Sequence, residues 1–127
     1  MNRERALRKI LWAAVFFNIG GAVSFGFPDS FSGRLMGLPA EVPALYRALT
    51  AMFVLLFAGA YGWTAWRAPL FRPFVAFGTI GKSAAFATAA LVWLAGACPL
   101  STVLVMSGDL VFAALFAWGL AGTRELA

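Results

Sequence analysis

The sequence predicts an all-α integral membrane protein, a bundle of four transmembrane helices with a short interfacial helix in the first loop. Three observations predict it. Hydrophobic residues make up 62% of the chain and charged residues only 12%, about half the charged share of an ordinary soluble domain. Charge-free runs cover Ile10 to Pro28, Ala48 to Trp66, Ser83 to Gly108 and Leu110 to Thr123. None of them alternates as a barrel strand does, so backbone polarity in lipid must be satisfied within helices. The expected organisation is a single domain over residues 1–127.

A helix needs about 20 predominantly apolar residues to cross about 30 Å of hydrocarbon. The first two runs, 19 residues each, meet that length and place TM1 at about 7–27 and TM2 at about 46–66. The last two runs have 26 and 14 residues. One is too long and the other too short, so Lys82 and Asp109 are expected inside spans. TM3 is then expected over about 74–97 and TM4 over about 100–121. Pro99 separates them, because Pro stops one helix and tolerates the first turn of the next. The basic start followed by an apolar stretch resembles a signal peptide. The length of that stretch and the lack of an Ala-X-Ala site favour a retained TM1.

Between TM1 and TM2, Asp29 or Ser30 can cap a short helix running through Met36. Phe31 and Leu35 would share its apolar face, and Gly37 and Pro39 would end it. This segment is expected to be an interfacial connector rather than a lid. Orientation follows from Lys and Arg. Arg3, Arg5, Arg8, Lys9, Arg67, Arg72 and Arg124 fall on one side, against Arg34 and Arg47 on the other. That bias puts both termini and the middle loop in the cytoplasm. The net charge of +5 is therefore read as lipid-facing and orienting, with no nucleic-acid partner.

Absences narrow the chemistry. The chain has no histidine and a single cysteine, Cys98. Histidine-ligated metals, Ser-His and Cys-His nucleophile systems and an intramolecular disulfide are thus excluded. Glu4, Asp29, Glu41, Asp109 and Glu125 are too scattered for a carboxylate metal site. Gly81-Lys82-Ser83 matches only the tail of a phosphate-binding loop, and position 76 is Ala instead of Gly. No cofactor, metal or catalytic residue is expected, and the protein is read as a non-enzyme.

Small residues, among them Gly20, Gly21, Gly59, Gly62, Gly78 and Gly81, are expected to permit close helix packing. Trp12, Trp63, Trp66, Trp93 and Trp118 lie mostly near span ends, as interface belts do. Polar groups inside spans are costly and are the candidates for a ligand or proton site: Asn18, Arg47, Tyr61, Lys82 and Asp109. At 1.5 Å per residue, a TM3 ending near Ala97 puts Lys82 about 22 Å below the outer edge and Asp109 about 13 Å below it. Asn18 and Tyr61 fall near the level of Lys82. Helical side chains lean toward their own N-terminus, so Lys82 and Asp109 lean apart. Asp109 thus has three expected fates: pairing with Lys82, pairing with Arg47, or a protonated or hydrogen-bonded state. A polar clamp joining the helices accounts for these groups as well as a site does.

The order of Asn18-Ile19-Gly20-Gly21, Phe27-Pro28, Gly37-Leu38-Pro39, Tyr46-Arg47, Gly59-Ala60-Tyr61, Gly81-Lys82 and Gly108-Asp109 resembles small, largely uncharacterised four-helix proteins of the bacterial inner membrane. More distantly it is similar to the DoxX-like four-helix group, some members of which accompany quinone-linked oxidoreductases. The resemblance implies a four-helix bundle in the bacterial inner membrane and respiratory or lipid-phase partners. It supplies no catalytic residues. The expected function is a non-enzymatic subunit or accessory protein of a membrane complex. The alternative is a binder or translocator of a quinone, lipid or proton-coupled solute. Expected partners are the lipid bilayer and a membrane protein or a second copy of the chain.

Overall fold

The computed structural model describes residues 2–123, and all its regular structure is helical. The helices are α1 (Arg3–Gly26), α2 (Phe31–Met36), α3 (Ala44–Trp66), α4 (Arg72–Leu94) and α5 (Leu100–Thr123). Four of them, α1, α3, α4 and α5, are long and apolar enough to cross a membrane. Around the bundle the order is α3, α1, α5, α4. The pairs α1–α3 and α4–α5 pack along their lengths, α1 meets α5, and α3 scarcely touches α4. Arg124, which contributes to the expected charge bias, lies outside the described residues.

Local chemistry explains the helix ends. Asn2 caps α1 by accepting the Glu4 amide at 2.9 Å, so α1 starts a turn earlier than the hydrophobic pattern suggests. Ser30 caps α2, accepting from the Gly33 amide at 3.2 Å. Gly37 ends α2 in the left-handed region, φ 72°, where glycine carries no Cβ penalty. Phe31 and Leu35 share one face, as their spacing predicts, and that face points outward. Gly33 and Met36 are buried, while Phe31 and Leu35 are 76% and 60% exposed. The reason is steric: Gly33 lies against Pro28, where a Cβ would come within 2.5 Å of the Pro28 carbonyl oxygen. Gly96, with φ 76°, stops α4 at Leu94, three residues before the expected 97. The Gly96 and Ala97 amides donate to the Trp93 and Val92 carbonyls at 2.9 and 3.0 Å.

Arg8, Arg47 and Arg72 satisfy carbonyls that helix ends leave without intrahelical partners, and Arg3 adds a bond to a carbonyl further inside α5. Arg8 Nη1 donates to the carbonyls of Ala65 and Arg67 at 2.9 and 2.6 Å, closing the end of α3. Arg3 reaches Trp118 at 3.2 Å and Arg72 reaches Leu120 at 3.0 Å, both on α5. Arg47 Nη1 donates to Gly26 at the end of α1, at 3.1 Å. Thr102 Oγ1 donates to the Met36 carbonyl at 2.5 Å, tying α2 to α5.

The tightly packed core sits at the end of the bundle that carries the chain termini. Leu7, Leu11, Ala14, Tyr61, Ala65, Val75 and Phe116 form it. Gly119 lets α1 approach α5 here, since a Cβ would fall 2.8 Å from Leu7. Not every expected contact glycine is used that way. Gly78 lies against Tyr61 and Phe116, but Gly20, Gly59 and Gly81 face open space.

Candidate functional site

Toward the α2 end the bundle opens. On α3, Tyr61 and Thr50 are eleven residues apart and share one helical face. Tyr61 is buried, yet Thr50 is exposed. On α4, Lys82 and Trp93 are also eleven residues apart, buried and exposed respectively. The two helices splay there. They are held together near the terminal end by Phe57, which stacks on Phe74 and Phe77 with ring centroids 6.3 and 6.0 Å away. The splay leaves a cavity of about 490 Å³ inside the bundle, roofed by α2. It opens sideways past Phe53 and Gly81, both exposed residues of its lining.

The walls are apolar and the base is polar. Lys82 Nζ donates to Asp109 Oδ1 at 2.8 Å and to Asn18 Oδ1 at 2.9 Å. The Asn18 amide donates in turn to the Val54 carbonyl at 3.2 Å. Lys82 is 3% exposed, and Asp109 and Asn18 are 8% exposed. Phe17, Tyr61 and Phe112 surround the ammonium with ring centroids 5.1 to 5.3 Å away. Each such contact contributes about 2 kcal/mol when desolvated. The pair is internally neutral, and its polar groups line the cavity instead of being sealed beneath it. Lys82 engages one carboxylate oxygen, leaving Oδ2 as an acceptor. The Tyr61 hydroxyl takes no partner among the described residues and adds a donor at the same base. Ser24 and Ser32, hydrogen-bonded at 2.8 Å, supply a second polar rim under α2.

The structure thus brings together four of the five expected site residues: Asn18, Tyr61, Lys82 and Asp109. Arg47 is not among them. It is committed to Gly26 and to the Val42 carbonyl, at 3.1 and 2.9 Å, so pairing with Asp109 is corrected. Direct Lys82–Asp109 pairing follows from the early end of α4. Measured from Leu94 instead of 97, the vertical gap between the two shrinks from about 9 Å to about 4.5 Å, within side-chain reach. The aromatic cage and the Ser24–Ser32 rim were missed in the sequence. Phe112 stands one turn from Asp109, so a same-face reading finds it, whereas Phe17 adjoins Asn18 in sequence and spacing on α1 does not reveal it. No protein-family description matches the chain, and no curated protein or solved structure is significantly similar to it.

Proposed function

We propose that this is a non-enzymatic, multi-pass protein of the bacterial inner membrane with both termini cytoplasmic, and that it binds a lipid-soluble ligand inside its bundle. One observation carries the reading: a buried ion pair forms the base of an open apolar cavity. A pair serving only as a clamp has no need of a cavity above it. At about 490 Å³ the space suits a small ligand. The base already balances one positive and one negative group, so a third charge would lie uncompensated in a low-dielectric site. The favoured ligand therefore has an uncharged head. It accepts from Tyr61 or Lys82 and donates to Asp109, while its apolar body lies against Phe53, Val54, Phe57 and Met106. Entry is sideways from lipid, between α3 and α4. The role as an accessory subunit is retained as the setting in which such a ligand is held or passed on, and the DoxX-like resemblance belongs to the same proposal.

The test is purification in mild detergent followed by mass spectrometry of co-eluting hydrophobic molecules. Gly81→Leu places its side chain in open space at the cavity mouth, so it blocks entry without a clash. The native protein should carry a defined compound that Gly81→Leu and Tyr61→Phe lose or weaken. Identical small-molecule content in all three would overturn the reading.

A further inference from the structure

A second groove runs between α1 and α3 on the flank of the bundle, away from the central cavity. Its lining includes Trp12, Val15 and Ile19 of α1 with Gly59, Gly62 and Trp66 of α3. Its volume is about 550 Å³. Gly59 makes its floor open, since a Cβ there would meet nothing within 4 Å. From Leu55 to Trp66 the groove is about 16 Å long, close to one leaflet's half of the hydrocarbon thickness. Tryptophans stand at its terminal end: Trp12 is 42% exposed and Trp66 is 82% exposed.

Cations gather at that same end. Arg5 lies two turns before Trp12 on one helical stripe, and Lys9 lies one turn before it. Arg67 directly follows Trp66. The Arg67 carbonyl accepts from Arg8 at 2.6 Å, which holds the start of the α3–α4 loop against the turn of α1 that carries Lys9. Arg8 itself is engaged by carbonyls and lies 3.7 Å from Glu4. Arg5, Lys9 and Arg67 are exposed and have no acidic partner among the described residues.

We infer that this groove binds an anionic phospholipid, with one acyl chain along Gly59 and Gly62 and the phosphate-bearing headgroup held by Lys9, Arg67 and Arg5. The inference rests on the membrane reading but not on a ligand in the central cavity. Charge selects the occupant. Three unmatched cations favour an anionic headgroup over a zwitterionic one, each worth roughly fivefold in partitioning. A second copy docked through the same face would bring the identical cations against each other. The tryptophans fit the headgroup level at which such rings settle.

The test uses the full chain with Trp93→Phe and Trp118→Phe, so that only Trp12, Trp63 and Trp66 fluoresce. It is reconstituted in phosphatidylcholine vesicles containing a minor fraction of brominated phosphatidylglycerol or, in parallel, of brominated phosphatidylcholine. Brominated phosphatidylglycerol should quench more strongly. Lys9→Gln with Arg67→Gln should lower that preference by roughly 25-fold in apparent affinity. Gly59→Leu should reduce quenching by both lipids, with helicity followed by circular dichroism. If the double substitution unfolds the chain, Lys9→Gln alone supplies the same comparison, with about a fivefold loss. Equal quenching by both lipids, or a preference untouched by the charge substitutions, overturns the proposal. So does protection from both lipids in the parent chain, the result a covering helix would give. None of these substitutions touches the central cavity, so compound recovery from that cavity is read separately.

Discussion

Lys82 and Asn18 join helices that are not neighbours. Their 2.9 Å hydrogen bond crosses the bundle from α4 to α1, which have no close backbone approach. Tyr61 and Phe116 cross the other diagonal, from α3 to α5, with ring centroids 5.5 Å apart. The midsection is thus braced by one polar and one aromatic crossing, and the cavity begins where these braces end.

The ion pair should show asymmetric energetics. Lys82→Met or Asp109→Leu alone strands a buried charge and should cost about 3–5 kcal/mol, whereas replacing both together should recover most of that loss. Reversible denaturation in mixed micelles measures it. Additive single losses in the double variant would contradict the pairing.

Asp109→Asn keeps the shape and an acceptor for Lys82. It should fold, at a cost of about 3 kcal/mol and less than that of Asp109→Leu, because the hydrogen bond survives while the Lys82 charge loses its counter-charge, but it should bind the cavity ligand far more weakly. Unchanged ligand recovery from a folded Asp109→Asn protein would reduce Asp109 to a clamp.

Arg8→Gln should loosen one place in particular. Its bonds to the carbonyls of Ala65 and Arg67 are charge-assisted, and losing them should cost about 1.5–3 kcal/mol. Hydrogen exchange should quicken in the last turn of α3 and leave α4 as it was. Uniform change throughout the bundle would argue against a capping role.

Glycines should divide sharply. Gly108→Ala puts a Cβ 2.6 Å from the Phe17 ring and should destabilise by about 1–3 kcal/mol through overpacking. Gly20→Ala enters open space and should be neutral or stabilising by about 1 kcal/mol. Thermal unfolding in detergent ranks the two, and the reverse order would contradict the α1–α5 packing.

Topology is tested with the native thiol. Cys98 lies in the turn between α4 and α5 and should be labelled by a membrane-impermeant maleimide from the periplasmic face. A cysteine introduced at Leu70 should be labelled only from the cytoplasm. A C-terminal reporter active in the periplasm would contradict the orientation.

The helices were legible because uncharged runs and their lengths decide spans almost without competition from other signals. The level of the site was legible for the same reason: Lys82 and Asp109 interrupt such runs. Two things were hidden. The stop at Gly96 depends on one backbone conformation, and an apolar count that runs smoothly through Ala95, Gly96 and Ala97 misses it. The partners of Arg47 and Arg8 are backbone carbonyls at helix ends and in the adjoining loops, which no side-chain inventory displays. The spacing of Phe31 and Leu35 showed that they share a face of α2, but not that the opposite face seats Gly33 against Pro28.

The turn over residues 95–99 joins the two helices that carry the internal charges. In a membrane, a Lys or an Asp at helix centre raises the insertion cost by about 2.5–3.5 kcal/mol each. Because Lys82 and Asp109 sit on adjacent arms of one hairpin, in the proposed membrane setting they would neutralise each other as the hairpin enters lipid, without help from α1 or α3. Insertion would then depend on the hairpin's own geometry. One residue inserted within α5 between Leu100 and Asp109 would rotate Asp109 by about 100° relative to the start of that helix and turn it away from Lys82.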